Sequence, residues 1–348
     1  MADRPVLITA VAARTAFGRD GTRLRAEGFA GVPAFGPVTR FDTEGRRTRH
    51  AATLPGAPAL VDELVGVINE VYTGPGSTVP LLLAVHADAG NQALAAEVAA
   101  RTGVLGVSRV YTGACVAATS AVADAATMIA TGRAERVLVA AGYLVEPSTF
   151  ALFDAGRALA RDGRVRPFSA GRQGMLLGDG VAAVLLESNG SNPVARLVGW
   201  SRAGDAYHVC KPRPDGKGLA RAIAGALDRA DLSTSDIGYV NANGTGTEFN
   251  DAAEVAALRL AGLDRVPVSS TKSVHGHALE ASGLVELVAT VQALNSGALP
   301  VNSGYLGADP ACDLDLVVDV PRRAYIEYAL TVNAAFGGAN TALLVGAA

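Results

Sequence analysis

Apolar and polar positions along the chain fall into two kinds of block. Short aliphatic and β-branched runs bounded by Gly, Asn or Asp occur at residues 6–11, 81–85, 136–141, 181–186, 237–241, 266–270, 330–333 and 341–345. Such unbroken runs predict strands buried on both faces. Between them lie Ala-rich stretches of helical character at 93–102, 117–131, 218–231, 251–261 and 284–295. Their alternation predicts an α/β fold in which helices cover largely parallel sheets.

The pattern also repeats. An opening strand at 5–13 leads into Arg14-Thr15, and a second at 195–201 leads into Arg202-Ala203. Each half closes on a strand pair, 136–143 with 181–187 and 330–333 with 341–345, and the linker-like stretch 189–193 falls between them. The echo predicts two halves, 1–192 and 193–348, packed as pseudo-symmetric lobes on a shared core. Polar, Gly- and Arg-rich segments at 14–49 and 156–180 read as excursions from the sheets.

Composition narrows the classes. The chain has 348 residues, 49% hydrophobic and 18% charged, which supports a deep core and excludes a disordered or collagenous chain. Thirty basic against 33 acidic residues, a net charge of −3 without like-charge runs, argue against a duplex nucleic acid partner. No apolar stretch approaches the roughly 18 residues that span a bilayer, so no membrane insertion is expected. The apolar stretch 6–13 stops at Arg14, short for a signal peptide, and reads as a strand. The three cysteines, Cys115, Cys210 and Cys312, are far apart with no CxxC pair; a disulfide framework and a zinc site are not expected, and a cytoplasmic location fits.

Four segments carry candidate chemistry. Cys115, in Tyr-Thr-Gly-Ala-Cys-Val-Ala-Ala-Thr-Ser at 111–120, directly precedes an Ala-rich helix, whose N-terminus lowers a thiol pKa and offers oxyanion donors. Taken alone, it reads more readily as a small core residue. The strand-loop-helix segment 239–251 holds Asn243-Gly244-Thr245-Gly246-Thr247, which presents hydroxyls and N–H groups to a ligand or forms an ordinary turn. Segment 268–277 contains Lys272, one of only three lysines, and His277, followed by a helix containing Glu286. A fixed ammonium beside a thiolate or imidazole is chemically useful, whereas a histidine near a helix start is often only a cap. His50, His86, His208 and His275 read as structural or solvated. Last, Thr-Val-Asn-Ala-Ala-Phe-Gly-Gly-Ala-Asn at 331–340 ends a strand in a Gly-Gly turn with Phe336 as a gate or a core ring.

In this order the four segments resemble a β-ketoacyl synthase of the thiolase superfamily. The likeness includes Arg-Pro-Phe-Ser at 166–169, Gly-Met-Leu-Leu-Gly-Asp-Gly at 174–180 and Asp-Pro-Ala-Cys-Asp at 309–313, and runs from about residue 105 to the C-terminus, with a weaker match at 4–18. The resemblance implies a thiolase-like fold, two βαβαβαββ halves in α-β-α-β-α layers. It makes Cys115 the nucleophile that takes an acyl group from a pantetheine thioester, with the N–H groups of Cys115 and Phe336 as the oxyanion hole. His277 would attend the thioester carbonyl, Lys272 and Glu286 would form the supporting charge network, and Thr245 and Thr247 would bind the pantetheine arm. Gly337 and Asn340 are further substrate-binding candidates. No cofactor is implied beyond the phosphopantetheine that the substrate carries. The partners would be acyl carrier protein or acyl-CoA and a second subunit, in a homodimer or a heterodimer with another ketosynthase subunit.

The chain departs from the family pattern at Asn243, which stands where the first catalytic histidine is expected. An amide neither accepts and returns a proton nor holds positive charge. Members lacking this histidine often load and pass on acyl groups while condensing poorly. Ala334 replaces a usual Phe, Ser169 replaces a usual Asp, and the stretch 41–81 is short, which would reshape the acyl tunnel. The leading expectation is a ketosynthase-like acyltransferase of a polyketide or fatty-acid-type pathway. It would pass the acyl group from Cys115 to a carbon by condensation or to a heteroatom, the latter favoured. The alternative is a non-catalytic partner resembling a chain-length factor, against which the retained Cys115, Lys272 and His277 argue. Arg157, Arg161, Arg164, Arg166 and Arg172 are expected to steer an acidic carrier protein or simply to be solvated.

Overall fold

The computed structural model describes residues 4–74, 79–88 and 90–348. In the first half β1 (Leu7–Thr15) is followed by two short strands, β2 (Gly36–Pro37) and β3 (His50–Ala51), then α1 (Leu60–Val71), β4 (Leu81–Val85), α2 (Asn91–Thr102) and β5 (Val107–Tyr111). It closes with α3 (Ala117–Ala130), β6 (Arg136–Tyr143), α4 (Pro147–Ala155) and β7 (Gly180–Glu187). The second half runs β8 (Ala195–Gly204), α5 (Lys217–Ala230), β9 (Ile237–Asn241), α6 (Glu248–Leu260), β10 (Val268–Ser269), α7 (Lys272–His275) and α8 (Ser282–Ser296). A small pair, β11 (Ala298–Leu299) and β12 (Arg322–Arg323), precedes β13 (Tyr328–Ala334) and β14 (Ala339–Gly346). Without the short inserts and α4, each half reads βαβαβαββ.

Strand order shows the same repeat. The ten-stranded sheet runs β10-β9-β13-β14-β8-β1-β7-β6-β4-β5. Each half contributes five strands in mirrored order, and within the sheet the two sets join where Leu7 and Ile8 pair with Arg196 and Ala195. The expectation of largely parallel pairing needs correction. β4 is parallel to β5 and β6, and β9 to β10 and β13, whereas β1, β7, β8 and β14 pair antiparallel throughout. The closing pair of each half is joined to the opening strand, which returns in the opposite sense, so only the inner βαβ crossovers give parallel neighbours.

Three apolar clusters make five layers. Leu64 and Ile68 of α1 and Val98 of α2 cover one sheet face with Leu83, Leu138 and Val181. Ile223 and Leu227 of α5 and Val255 and Leu258 of α6 cover the opposite outer face. Between the half-sheets lie α3 and α8, contributing Ala118, Ala121, Val122 and Ala125 with Leu284, Val288 and Val291 to the central cluster. Alanines on α3 let a helix fit between two β layers, which is why this segment is Ala-rich.

Three of the longer elements lie outside the predicted set. α1, in the short stretch 41–81, carries a legible pattern of apolar residues at helical spacing, Leu64, Val65, Ile68 and Val71, whereas α4 and the partly exposed β5 lack an unbroken apolar run. The predicted strand 266–270 shrinks to Val268–Ser269. Excursion 156–180 returns to clamp the segment that carries His277: the His277 N–H donates to Leu176 O at 2.8 Å, and Gly178 N–H donates to His277 O at 3.0 Å. A Cβ at Gly178 would lie 1.9 Å from His275 O, so this approach requires glycine.

Candidate active site

The four sequence segments leave the carboxyl ends of β5, β9, β10 and β13, where parallel βα units gather loops into a crevice. The first half supplies the segment after β5 and the second half the other three. After β5, Ala114 adopts φ +53°, a left-handed conformation that costs an L-residue on the order of 1 kcal/mol. This sharp turn places Cys115 in a short 3-10 turn (Ala114–Val116) leading into α3. The thiol is buried and lines a cavity of about 410 Å³.

Asn243, His277, Thr245, Thr247 and Phe336 line the same cavity. The Thr245 and Thr247 hydroxyls are 2.8 Å apart on one wall. Phe336 is half exposed and stacks on Phe153 with ring centroids 6.0 Å apart. Its neighbours Ala335 and Gly337 donate their N–H groups to Ala339 O and Val209 O, at 2.9 and 2.8 Å, whereas the Phe336 N–H has no backbone acceptor among the described residues.

His277 is held in one tautomer. The Leu279 N–H donates to its Nδ1 at 3.1 Å, so a neutral ring carries its proton on Nε2. Ser282 Oγ accepts the Ala278 N–H at 2.9 Å and lies 2.8 Å from the same Nδ1, to which its hydroxyl donates. Burial, with the nearby charges of Lys272 and His275, holds His277 well below the usual imidazole pKa. The ring is therefore neutral and offers an N–H donor.

Asn243 sits in a hydrogen-bonded chain with a direction. Lys272 Nζ donates to its Oδ1 at 3.2 Å, and its Nδ2 donates to Asn250 Oδ1 at 2.8 Å. Asn250 Nδ2 in turn reaches Asp251 Oδ1 at 3.2 Å and Glu254 Oε2 at 3.3 Å. The ammonium fixes both amide orientations, because a cation only donates: Asn243 must turn Oδ1 to Lys272 and Nδ2 to Asn250 Oδ1, which leaves Asn250 Nδ2 facing the carboxyl groups. Glu254 also accepts the backbone N–H groups of Asn243 and Gly244 at 2.7 and 2.8 Å. Burial pushes its carboxyl up to about 7, and that of Asp251 up to about 6.

Lys272 and Glu286 form a buried ion pair, Nζ to Oε1 2.5 Å, outside the cavity lining, and Asn333 Nδ2 donates to the other Glu286 oxygen at 2.6 Å. His275 is buried between Thr271 Oγ1 and Gly276 O, at 3.0 and 2.9 Å, and burial lowers it to about 4.

Three expectations change here. First, the Cys115 thiol is not lowered: burial and the charge of Glu280 push it up to about 12, against the opposing influence of Lys272. Desolvation of a thiolate outweighs a helix end and one ammonium. Second, Gly337 and Asn340 do not line the cavity. Asn340 Nδ2 is taken up by Asp205 Oδ1 at 2.8 Å and Gly338 O at 3.2 Å, and Gly337, at φ +85°, shapes the turn behind Phe336. Third, the arginine cluster is divided. Arg166 is buried against Asp162 and Arg172, partly buried on the cavity wall, pairs with Asp309, leaving Arg157, Arg161 and Arg164 exposed. The sequence reading missed Ser282, Asn250, Asp251 and Glu254; its one signal was polar residues at helical spacing on the inward face of an Ala-rich helix.

Comparisons with known proteins bear on the family and the fold. Residues 69–191 match the beta-ketoacyl synthase N-terminal domain and residues 194–305 the C-terminal domain, so the turn at 331–340 lies beyond the matched region. The ketoacyl synthase alpha subunit of the tetracenomycin polyketide synthase of Streptomyces glaucescens is 36% identical over 264 residues, 72% of this chain. The chain spans 62% of that relative's length. Among solved structures, a beta-ketoacyl synthase from Burkholderia phymatum superposes with a TM-score of 0.90 at 26% identity, covering 99% of this chain and 100% of its own. The ishigamide ketosynthase/chain length factor gives 0.88 at 25% identity, with 100% of both chains covered. Among the described residues no helix is long and apolar enough to cross a membrane.

Proposed function

The chain belongs to the β-ketoacyl synthase family, and on that premise we propose that it is a ketosynthase-like acyltransferase of a polyketide or fatty-acid-type pathway. Cys115 would accept an acyl group from an acyl carrier protein or acyl-CoA. The observation that carries this reading is one cavity lined by Cys115, Asn243, His277 and the Thr245–Thr247 wall.

In the first half-reaction Cys115 Sγ attacks the thioester carbonyl and the bond to the pantetheine sulfur breaks. The departing pantetheine thiol takes up a proton as Cys115 gives one up, so one thioester replaces another at little net cost. The N–H groups of Cys115 and Phe336 would hold the oxyanion, and the threonine pair would hold the arm. For the second half-reaction His277 Nε2–H and the remaining Asn243 amide hydrogen are two neutral donors for a carbonyl oxygen. Neither group stabilises an enolate with a full positive charge, which favours transfer to a heteroatom over decarboxylative condensation.

The test is the intact mass of the protein after incubation with acyl carrier protein loaded with an acyl chain. A Cys115-dependent acyl adduct is expected, with little CO2 released when malonyl carrier protein follows. Rapid CO2 release with a β-keto product would overturn the preference for transfer. Absence of any adduct would favour a non-catalytic subunit, for which the ketosynthase/chain length factor neighbour is the structural parallel.

A further inference from the structure

Glu280 is a buried carboxylate that the acylation chemistry does not use. It lies in the 3-10 turn Leu279–Ala281, which packs against the turn bearing Cys115. Its Oε1 is 3.0 Å from His86 Nδ1, and His86, past the end of β4, is partly exposed with its ring edge-on to Tyr143. Its Oε2 is buried with no hydrogen-bond partner among the described residues. Neither Glu280 nor His86 lines the cavity that holds the threonine wall and Phe336.

A thioester has two arms. If the pantetheine arm occupies that cavity, the acyl arm carried on Cys115 extends into the remaining surroundings of the sulfur, where Glu280 is a neighbouring ionisable group with an oxygen that neither a hydrogen bond nor an ion pair engages. Glu286 is already engaged by Lys272 and Asn333. A plain alkyl chain packed against an unpaired buried carboxylate oxygen leaves its desolvation penalty uncompensated. A chain bearing an O–H or N–H donor removes that penalty. We propose that Glu280, oriented by His86, selects acyl groups carrying a hydrogen-bond donor, a hydroxyl or an ammonium, over unsubstituted alkyl chains. The proposal rests on Cys115 being the acylated residue. It also gives the thiol a reason to be silent at rest: the Glu280 charge opposes the thiolate, and a donor on the correct chain offsets that charge.

The probes are butanoyl, β-hydroxybutanoyl and β-aminobutanoyl thioesters of N-acetylcysteamine, with the initial rate of Cys115 acylation read by intact mass. The wild-type protein is expected to load a donor-bearing chain at least about tenfold faster than butanoyl. Glu280→Leu should abolish or invert that ratio, with Glu280→Gln intermediate. Glu280→Gln should also speed iodoacetamide alkylation of Cys115, because the charge that opposes the thiolate is gone. That readout reports folding too, since an unfolded variant would alkylate buried Cys312 as readily. Equal wild-type rates, or a ratio unchanged in Glu280→Leu, would overturn the inference while leaving acylation of Cys115 intact. No Cys115 adduct from any thioester would overturn both.

Discussion

At the scale of single residues, this site is governed by burial more than by residue type. Asn243 is pinned through both ends of its amide, by Lys272 and by Asn250. Replacing it alters a relay of fixed dipoles as well as one side chain. Glu254 anchors that relay, and its titration makes the anchor measurable. Burial raises its carboxyl from 4.5 to about 7, so between those values the native state keeps a proton that the unfolded chain has released. Stability then falls as pH rises through this window, by an amount on the order of 3 kcal/mol, and the contribution is complete only below the unfolded value. Asp251 acts in the same direction, from 3.8 to about 6. Glu254→Gln is expected to flatten the decline of the thermal midpoint with pH, measured by circular dichroism from about pH 5 to pH 8. A variant with the wild-type slope would show that Glu254 is not the titrating group.

Elements impose their own limits. α3 and α8 lie between two sheets, and their approach is set by small residues. A Cβ on Gly283, near the start of α8, would lie 2.4 Å from Thr119 Cγ2 on α3 and 2.8 Å from Asn333 Oδ1 on β13. Neither neighbour has room to retreat, since Thr119 and Asn333 are both buried. Gly283→Ala should therefore destabilise the protein by about 1–3 kcal/mol, read as a lower urea midpoint, although alanine is the better helix former. A neutral or stabilising result would mean that the two helices can separate without loss. Gly276 constrains the site differently. Its φ of +75° with ψ of −179° is a conformation open essentially to glycine alone, and it sets the direction of the chain into His277.

For the whole molecule, the question is whether two pseudo-symmetric halves behave as one. Among the described residues, named strands pair across the two halves only at Leu7 and Ile8 with Arg196 and Ala195, beside an isolated bridge from Leu177 to His277, yet the central cluster draws on both. The single tryptophan reports on this junction. Trp200, on β8, donates its indole N–H to Thr127 Oγ1, on α3, at 2.9 Å. With α3 from one half and α8 from the other packed in the central layer, unfolding of either half exposes the inner face of the other. Urea unfolding should therefore show one transition, coincident by Trp200 fluorescence and far-ultraviolet circular dichroism. A fluorescence change that precedes loss of helix would indicate that the halves part before they unfold.

Much of this was written in the sequence because it depends on local pattern. Unbroken apolar runs located the buried strands, alanine-rich periods located the helices, and the echo of the opening and closing strands announced the twofold repeat. Cys115 before a helix, the Gly-Thr loop, the Lys272–His277 segment and the Gly-Gly turn were legible because each is a short stretch whose residue types serve one backbone shape. What tertiary structure decided was environment. Only packing could show that the Cys115 thiol is raised instead of lowered, that Asn340 serves Asp205 and not a substrate, that Arg166 is buried and Arg172 held by Asp309, and that β1, β7, β8 and β14 run antiparallel to their neighbours. Glu280 and His86, 194 residues apart, meet only in the folded chain. The free energy of a charge or a donor depends on the solvent it has lost and the partners it has gained, and both are supplied by segments remote in sequence.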